Sequence, residues 1–116
     1  LKDCVHLTEL DLRSTPVTEK GLEIFRGKTN FTALGLAYLR VTDTGLEIFK
    51  DNKGLKSLFL HDTYLTDKGL SLFQDCKELD TLWVGGTPIA DVGMLPFREC
   101  KFLKWLDVRA TKVTRE

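Results

Sequence analysis

Three sets of residues in this 116-residue chain are of types that do chemistry: the neighbours His61 and Asp62, the cysteines Cys4, Cys76 and Cys100, and four aromatics set among polar or small residues, Tyr38, Phe59, Trp83 and Trp105. An imidazole beside a carboxylate is the minimal general-base pair. It needs a nucleophile within reach, and none falls in its patch. Neighbours on an extended segment also point to opposite faces, which would separate His61 from Asp62. No glycine-rich phosphate loop is present, so the sequence predicts a non-catalytic chain. The cysteines form no Cys-x-x-Cys pair and no Cys/His cluster, so no metal site or cofactor is expected. They share one phase, since 76 − 4 = 72 and 100 − 76 = 24. A shared phase marks a structural position, a small buried thiol where the chain turns back. Cys76 and Cys100 would lie on adjacent turns, within bridging distance. If unpaired, they favour a reducing, cytoplasmic setting.

The aromatics suggest recognition. Large apolar anchors beside small residues are what a binding surface uses, and Trp83 precedes Gly85 and Gly86 by two and three places. The same rings could serve as stacking platforms for a glycan or small ligand. They could also do no more than shield a short sheet.

The elements that would position these residues follow from a repeat. Leu7, Phe31, Leu55, Leu79 and Leu103 are spaced by 24 residues (31 − 7, 55 − 31, 79 − 55, 103 − 79), with no insertion. A fixed period of this size marks a stacked solenoid. A second apolar column holds Leu10, Leu34, Leu58, Leu82 and Leu106. A third holds Leu12, Leu36, Leu60, Val84 and Val108. Two apolar positions one residue apart predict a short strand, with the intervening residues on the opposite face. Thr15, Thr63, Thr87 and Thr111 follow, with Leu39 in the second copy, where another group must satisfy the turn backbone. Thr18, Thr42 or Thr66, then Glu19, Asp43 or Asp67, then one residue, glycine and leucine read as a helix start, the threonine capping its own helix and the acid facing its dipole. Phe25, Phe49, Phe73 and Phe97 complete the inward helix face. In the fourth copy Ala90 replaces the capping threonine and Pro96 enters the segment, which predicts a short or 3-10 turn.

Helices between successive strands require a parallel sheet. Helices wider than strands, all on one side, bend the stack into an arc with the sheet inside. The unit LxxLxLxxTx(V/I/L)(T/A)(D/E)xGLxxF resembles the leucine-rich repeat family, in the threonine/cysteine variant of F-box-type and many bacterial repeat proteins. It covers essentially the whole chain. The resemblance implies an α/β solenoid, parallel sheet concave and short helices convex, that is not an enzyme and binds partners on its concave face. A narrower implication is the substrate-receptor segment of an F-box ubiquitin ligase.

On that face the predicted partner-binding residues are Tyr38, Phe59, His61, Asp62, Trp83, Trp105 and Arg109, the occupant a protein or peptide. Ala33, Gly35 and Ala37 are expected to form a floor of small residues. Arg13 and Arg109, each two after an aspartate, read as rim ion pairs. Formal net charge is zero, with 17 basic and 17 acidic residues, which gives no electrostatic footprint for nucleic acid or an anionic membrane. No apolar run is long enough to cross a membrane. The chain opens in the phase of a helix end, Leu1, and stops at Glu116, where a fifth helix would start. It therefore reads as a single domain, 1–116, of about 4.5 repeats and as a piece of a longer solenoid. His6 is expected in an exposed return turn.

Overall fold

Five three-residue strands form where the apolar columns alternate: β1 (Glu9–Asp11), β2 (Ala33–Gly35), β3 (Ser57–Phe59), β4 (Thr81–Trp83) and β5 (Trp105–Asp107). They pair in parallel in chain order. The leucine column runs straight across the sheet, Leu10 against Leu34, Leu58, Leu82 and Leu106. A period without insertions leaves no other register, because a one-residue slip would turn every leucine outward. This computed structural model describes residues 8–114. Leu1, Cys4, His6, Leu7 and Glu116, with the expectations that rest on them, lie outside the described residues.

The convex side is built from short helical segments. The first is a 3-10 turn (Lys20–Phe25). The next three each begin with one α-helical turn, α1 (Asp43–Leu46), α2 (Asp67–Leu70) and α3 (Asp91–Met94), and narrow to 3-10 over Glu47–Phe49, Ser71–Phe73 and Leu95–Glu99. The fourth copy is thus 3-10 at Pro96 as expected, but so is every other copy. Pro96 follows α3 after Leu95, within the second turn of the helical run, where it removes an N–H that the run would otherwise use. Leucines from the strands meet Phe25, Phe49, Phe73 and Phe97 from the convex side in one buried cluster, with Phe31 packed edge-on to Phe25 at 6.0 Å.

Two ladders tie the repeats together. In the return turn Asn52, fully buried, accepts the Phe31 N–H at 2.9 Å and donates to the Phe49 carbonyl at 3.2 Å. In the same phase the Cys76 thiol donates to the Asn52 carbonyl at 3.4 Å and the Cys100 thiol to the Cys76 carbonyl at 3.9 Å. Both cysteines are free and buried, so the adjacent-turn spacing is used for a thiol-to-carbonyl ladder and not for a bridge. Burial, the largest cause, pushes the Cys76 thiol up to about 11 and raises that of Cys100.

The second ladder corrects the cap assignment. Only Thr18 accepts a cap N–H from its own segment, that of Gly21 at 3.2 Å. Thr42 instead donates its hydroxyl to Glu19 of the preceding repeat at 2.7 Å, and Glu19 also accepts the Thr42 N–H. Asp43 takes the Thr66 N–H at 2.9 Å and its hydroxyl, Asp67 takes the Ala90 N–H at 2.8 Å, and Asp91 takes both Thr114 donors at 2.7 Å. Glu19, Asp43 and Asp67 therefore clasp the helix start of the next repeat, and Asp91 makes the equivalent bonds to Thr114. The glycine column is explained by the same clasp. A Cβ on Gly69 would stand 2.0 Å from Asp43 Oδ1 and one on Gly93 2.2 Å from Asp67 Oδ1, whereas on Gly21, which no described acid faces, it would meet nothing closer than 3.6 Å.

At Leu39 no hydroxyl reaches back to the turn, and the apolar side chain joins the core. Where Thr15, Thr63 and Thr87 donate their hydroxyls to the carbonyl three residues back at 2.6 to 2.8 Å, Leu39 is buried in the core and its own N–H approaches the Leu36 carbonyl at 3.4 Å.

Candidate functional site

The strands end early, and this sets the shape of the concave face. Ser14, Tyr38, Asp62, Gly86 and Ala110 occupy one phase just past the strands, and all five have positive φ, between 57° and 70°. For side-chain-bearing residues this left-handed conformation is uncommon. It is held by cross-repeat bonds: the N–H of Tyr38 donates to the His61 carbonyl at 3.1 Å, that of Asp62 to Gly85 at 2.9 Å, and that of Gly86 to Arg109 at 2.8 Å. The turn of the chain at Asp62 ends strand alternation. His61 and Asp62 consequently line one hollow, contrary to the expectation that they face apart.

That hollow, about 300 Å³ and open to solvent, is walled by Tyr38, His61, Asp62, Trp83, Asp107 and Arg109 over a floor at Gly85 and Gly86. The rings are in sequence. His61 lies 5.1 Å from Tyr38, edge to face, and 5.6 Å from Trp83, tilted. Trp83 in turn meets Phe59 edge to face at 5.1 Å. Such pairs fix one another's orientation, so the two rings that stay open, Tyr38 at 56% and Trp83 at 36% exposure, are held in place.

The structure thus brings Tyr38, His61, Asp62, Trp83 and Arg109 together. Phe59 faces a neighbouring hollow beside Arg13, Ala33 and Gly35. There the expected small-residue floor is largely covered, because Gly35 lies under the Asp11 carboxylate and Ala37 is fully buried. Trp105, 65% exposed, stands on the last strand in register with Thr81, outside the lining of the first hollow.

Charges on this face are mostly paired. Arg13 and Arg109 each bind the aspartate two residues before them in a two-bonded fork, Arg13 to Asp11 at 2.9 and 2.8 Å and Arg109 to Asp107 at 3.0 and 2.9 Å. The arginine hydrogen bonds hold Asp11 and Asp107 below the usual carboxylate range. His61 is pushed down chiefly by burial; Arg13 acts the same way, while Asp62 and Asp107 oppose it. Its Nδ1 is buried without a hydrogen-bond partner among the described residues. Asp107, read from the sequence only as the partner in a rim ion pair, also lines the hollow, and the seating of Arg13 over Phe59 was not read from the sequence. The Asp-x-Arg spacing was the available signal for both. Among the described residues no group of three or more His, Cys, Asp or Glu side chains could hold a metal ion, and no helix is long and apolar enough to cross a membrane.

No protein-family model matches the chain, and no curated protein sequence does. Solved structures do. An internalin (InlF) of Listeria monocytogenes superposes with a TM-score of 0.72 at 19% identity, over 92% of this chain and 30% of that one. Leiomodin-1 actin-binding site 2 superposes with a TM-score of 0.60 at 18% identity, over 92% of this chain and 72% of that one. The chain spans less than a third of the internalin. At these identities the likeness defines the architecture: this is an α/β solenoid of the leucine-rich repeat kind.

Proposed function

We propose that this chain is a non-catalytic protein-interaction module that holds a peptide segment of a partner protein against its concave sheet. The hollow bounded by Tyr38, His61, Asp62, Trp83 and Arg109 is the centre of the contact, with Phe59 and Trp105 flanking it. One observation carries the reading: two aromatic side chains remain open beside a hollow while their neighbours lock them in position. A surface that keeps rigid apolar anchors facing water loses little conformational entropy on binding, and buried aromatic anchors dominate the energy of interfaces. The leiomodin-1 segment that shares the fold is described as an actin-binding site, so a scaffold of this shape serves protein contact in that molecule.

The experiment is selection of a phage-displayed library of random linear peptides on the protein, each selected peptide then being tested on Trp83→Ala and Tyr38→Ala variants. The reading expects peptides that both variants lose while the unfolding free energy from urea melts stays within about 0.5 kcal/mol of the parent, as for surface changes. Peptides that bind the variants unchanged would place the site elsewhere. Heat on titration with oligosaccharides, with no peptide selected, would make this a glycan surface.

A further inference from the structure

The concave face already seats one cation on a ring. The guanidinium carbon of Arg13 lies 5.2 Å from the centroid of Phe59, steered there by its fork to Asp11. The ring face attracts positive charge and the carboxylate fixes its direction of approach. The adjoining hollow has the same parts, with Arg109 held on Asp107. Among the described residues no positive group lies over Tyr38 or Trp83. The Asp62 carboxylate, exposed at the rim, has neither a hydrogen bond nor an ion pair among the described residues, and its Oδ1 lies 2.3 Å from where a Cβ on Gly86 would stand. The second carboxylate of the hollow, Asp107, is neutralised by Arg109. Burial, the largest cause, lowers His61 from its ordinary value and so disfavours its charged form. The hollow is therefore aromatic-walled with one carboxylate in excess.

On the peptide-binding reading above, we propose that this hollow takes the cationic side chain of an arginine or lysine of the partner segment, its charge against the faces of Tyr38 and Trp83 and its N–H donors on Asp62. An acidic or purely apolar anchor would leave the Asp62 charge without a partner.

The test is a nuclear magnetic resonance titration of the whole chain with Nα-acetyl-arginine amide and Nα-acetyl-lysine amide, read at the Trp83 indole N–H and the Gly85 and Gly86 amides. Nα-acetyl-citrulline amide is the uncharged control. The proposal expects saturable shifts at those signals with either cationic probe and not with citrulline. In Asp62→Asn, which keeps the side chain's size and tolerates positive φ, binding should weaken about three- to fivefold, the reach of one exposed ion pair. No saturable shift, equal shifts with citrulline, or indifference to Asp62→Asn would overturn it. The selection experiment separates the two readings. Peptides that depend on Trp83 but carry no arginine or lysine overturn this inference alone, whereas peptides indifferent to Trp83→Ala overturn the concave-face reading itself.

Discussion

At the scale of single residues, His61 is where burial and charge compete most openly. Its imidazole is packed against Tyr38 and Trp83 with Nδ1 unpartnered among the described residues, and desolvation is the largest cause lowering it from its ordinary 6.5. The unfolded chain therefore takes up this proton at a higher pH than the folded one. Stability from His61 is complete above pH 6.5 and is lost as pH falls from there through the lowered folded value. Urea midpoints of the parent and His61→Gln should run parallel above pH 6.5 and converge or cross as pH falls from there, as the parent alone loses this contribution. Parallel curves throughout would mean that His61 is no more desolvated than in the unfolded chain. The positive φ of Tyr38 is a second residue-scale property that types and spacing did not disclose. Glycine at 86 and aspartate at 62 are ordinary occupants of that backbone region, but tyrosine is not, so the column was hidden by its least typical member.

At the scale of elements, the inter-repeat clasp makes the sharpest prediction. Gly93→Ala would drive a Cβ to 2.2 Å from Asp67 Oδ1, while Gly21→Ala meets nothing within 3.6 Å. The first should cost about 1–3 kcal/mol, as overpacking does. The second should be neutral or stabilising by up to about 1 kcal/mol, since alanine is the better helix former. Combining Gly93→Ala with Asp67→Ala should cost less than the two single changes together, because one removes the atom the other strikes. Additive costs in denaturant melts would disprove the clasp. The threonine, acid and glycine of this motif were legible as a helix start, and the helices are there. Their main partners were not legible, because each acid bonds a residue 23 positions later in the chain, and a local template offers a nearer partner for the same atoms.

At the scale of the whole molecule, the leucine column is one row with unequal burial. Leu58 and Leu82 are fully buried, and Leu106 on the last strand is 47% exposed. Leu58→Ala should cost about 2–5 kcal/mol, whereas Leu106→Ala, with far less apolar surface to lose, should cost a fraction of that. Equal costs would show that the last repeat is covered in solution. A period of 24 without insertion made strand order, register and core readable before any coordinates, since stacking leaves a repeat few alternatives. Of the candidate site, the aromatics and His61, Asp62 and Arg109 were readable as residues of the concave face. Which of them share a hollow depends on where each strand stops and on how the chain turns at Asp62, and neither is encoded in apolar spacing. The central claim is that the concave hollow is the binding surface, and it is tested most directly by isothermal titration of a selected peptide into the parent and Trp83→Ala, with unfolding midpoints measured alongside. We predict a loss of about 2 kcal/mol or more in binding, the mark of an interface anchor, at an unchanged midpoint. Undiminished binding, or a midpoint that falls in step with it, would contradict the account.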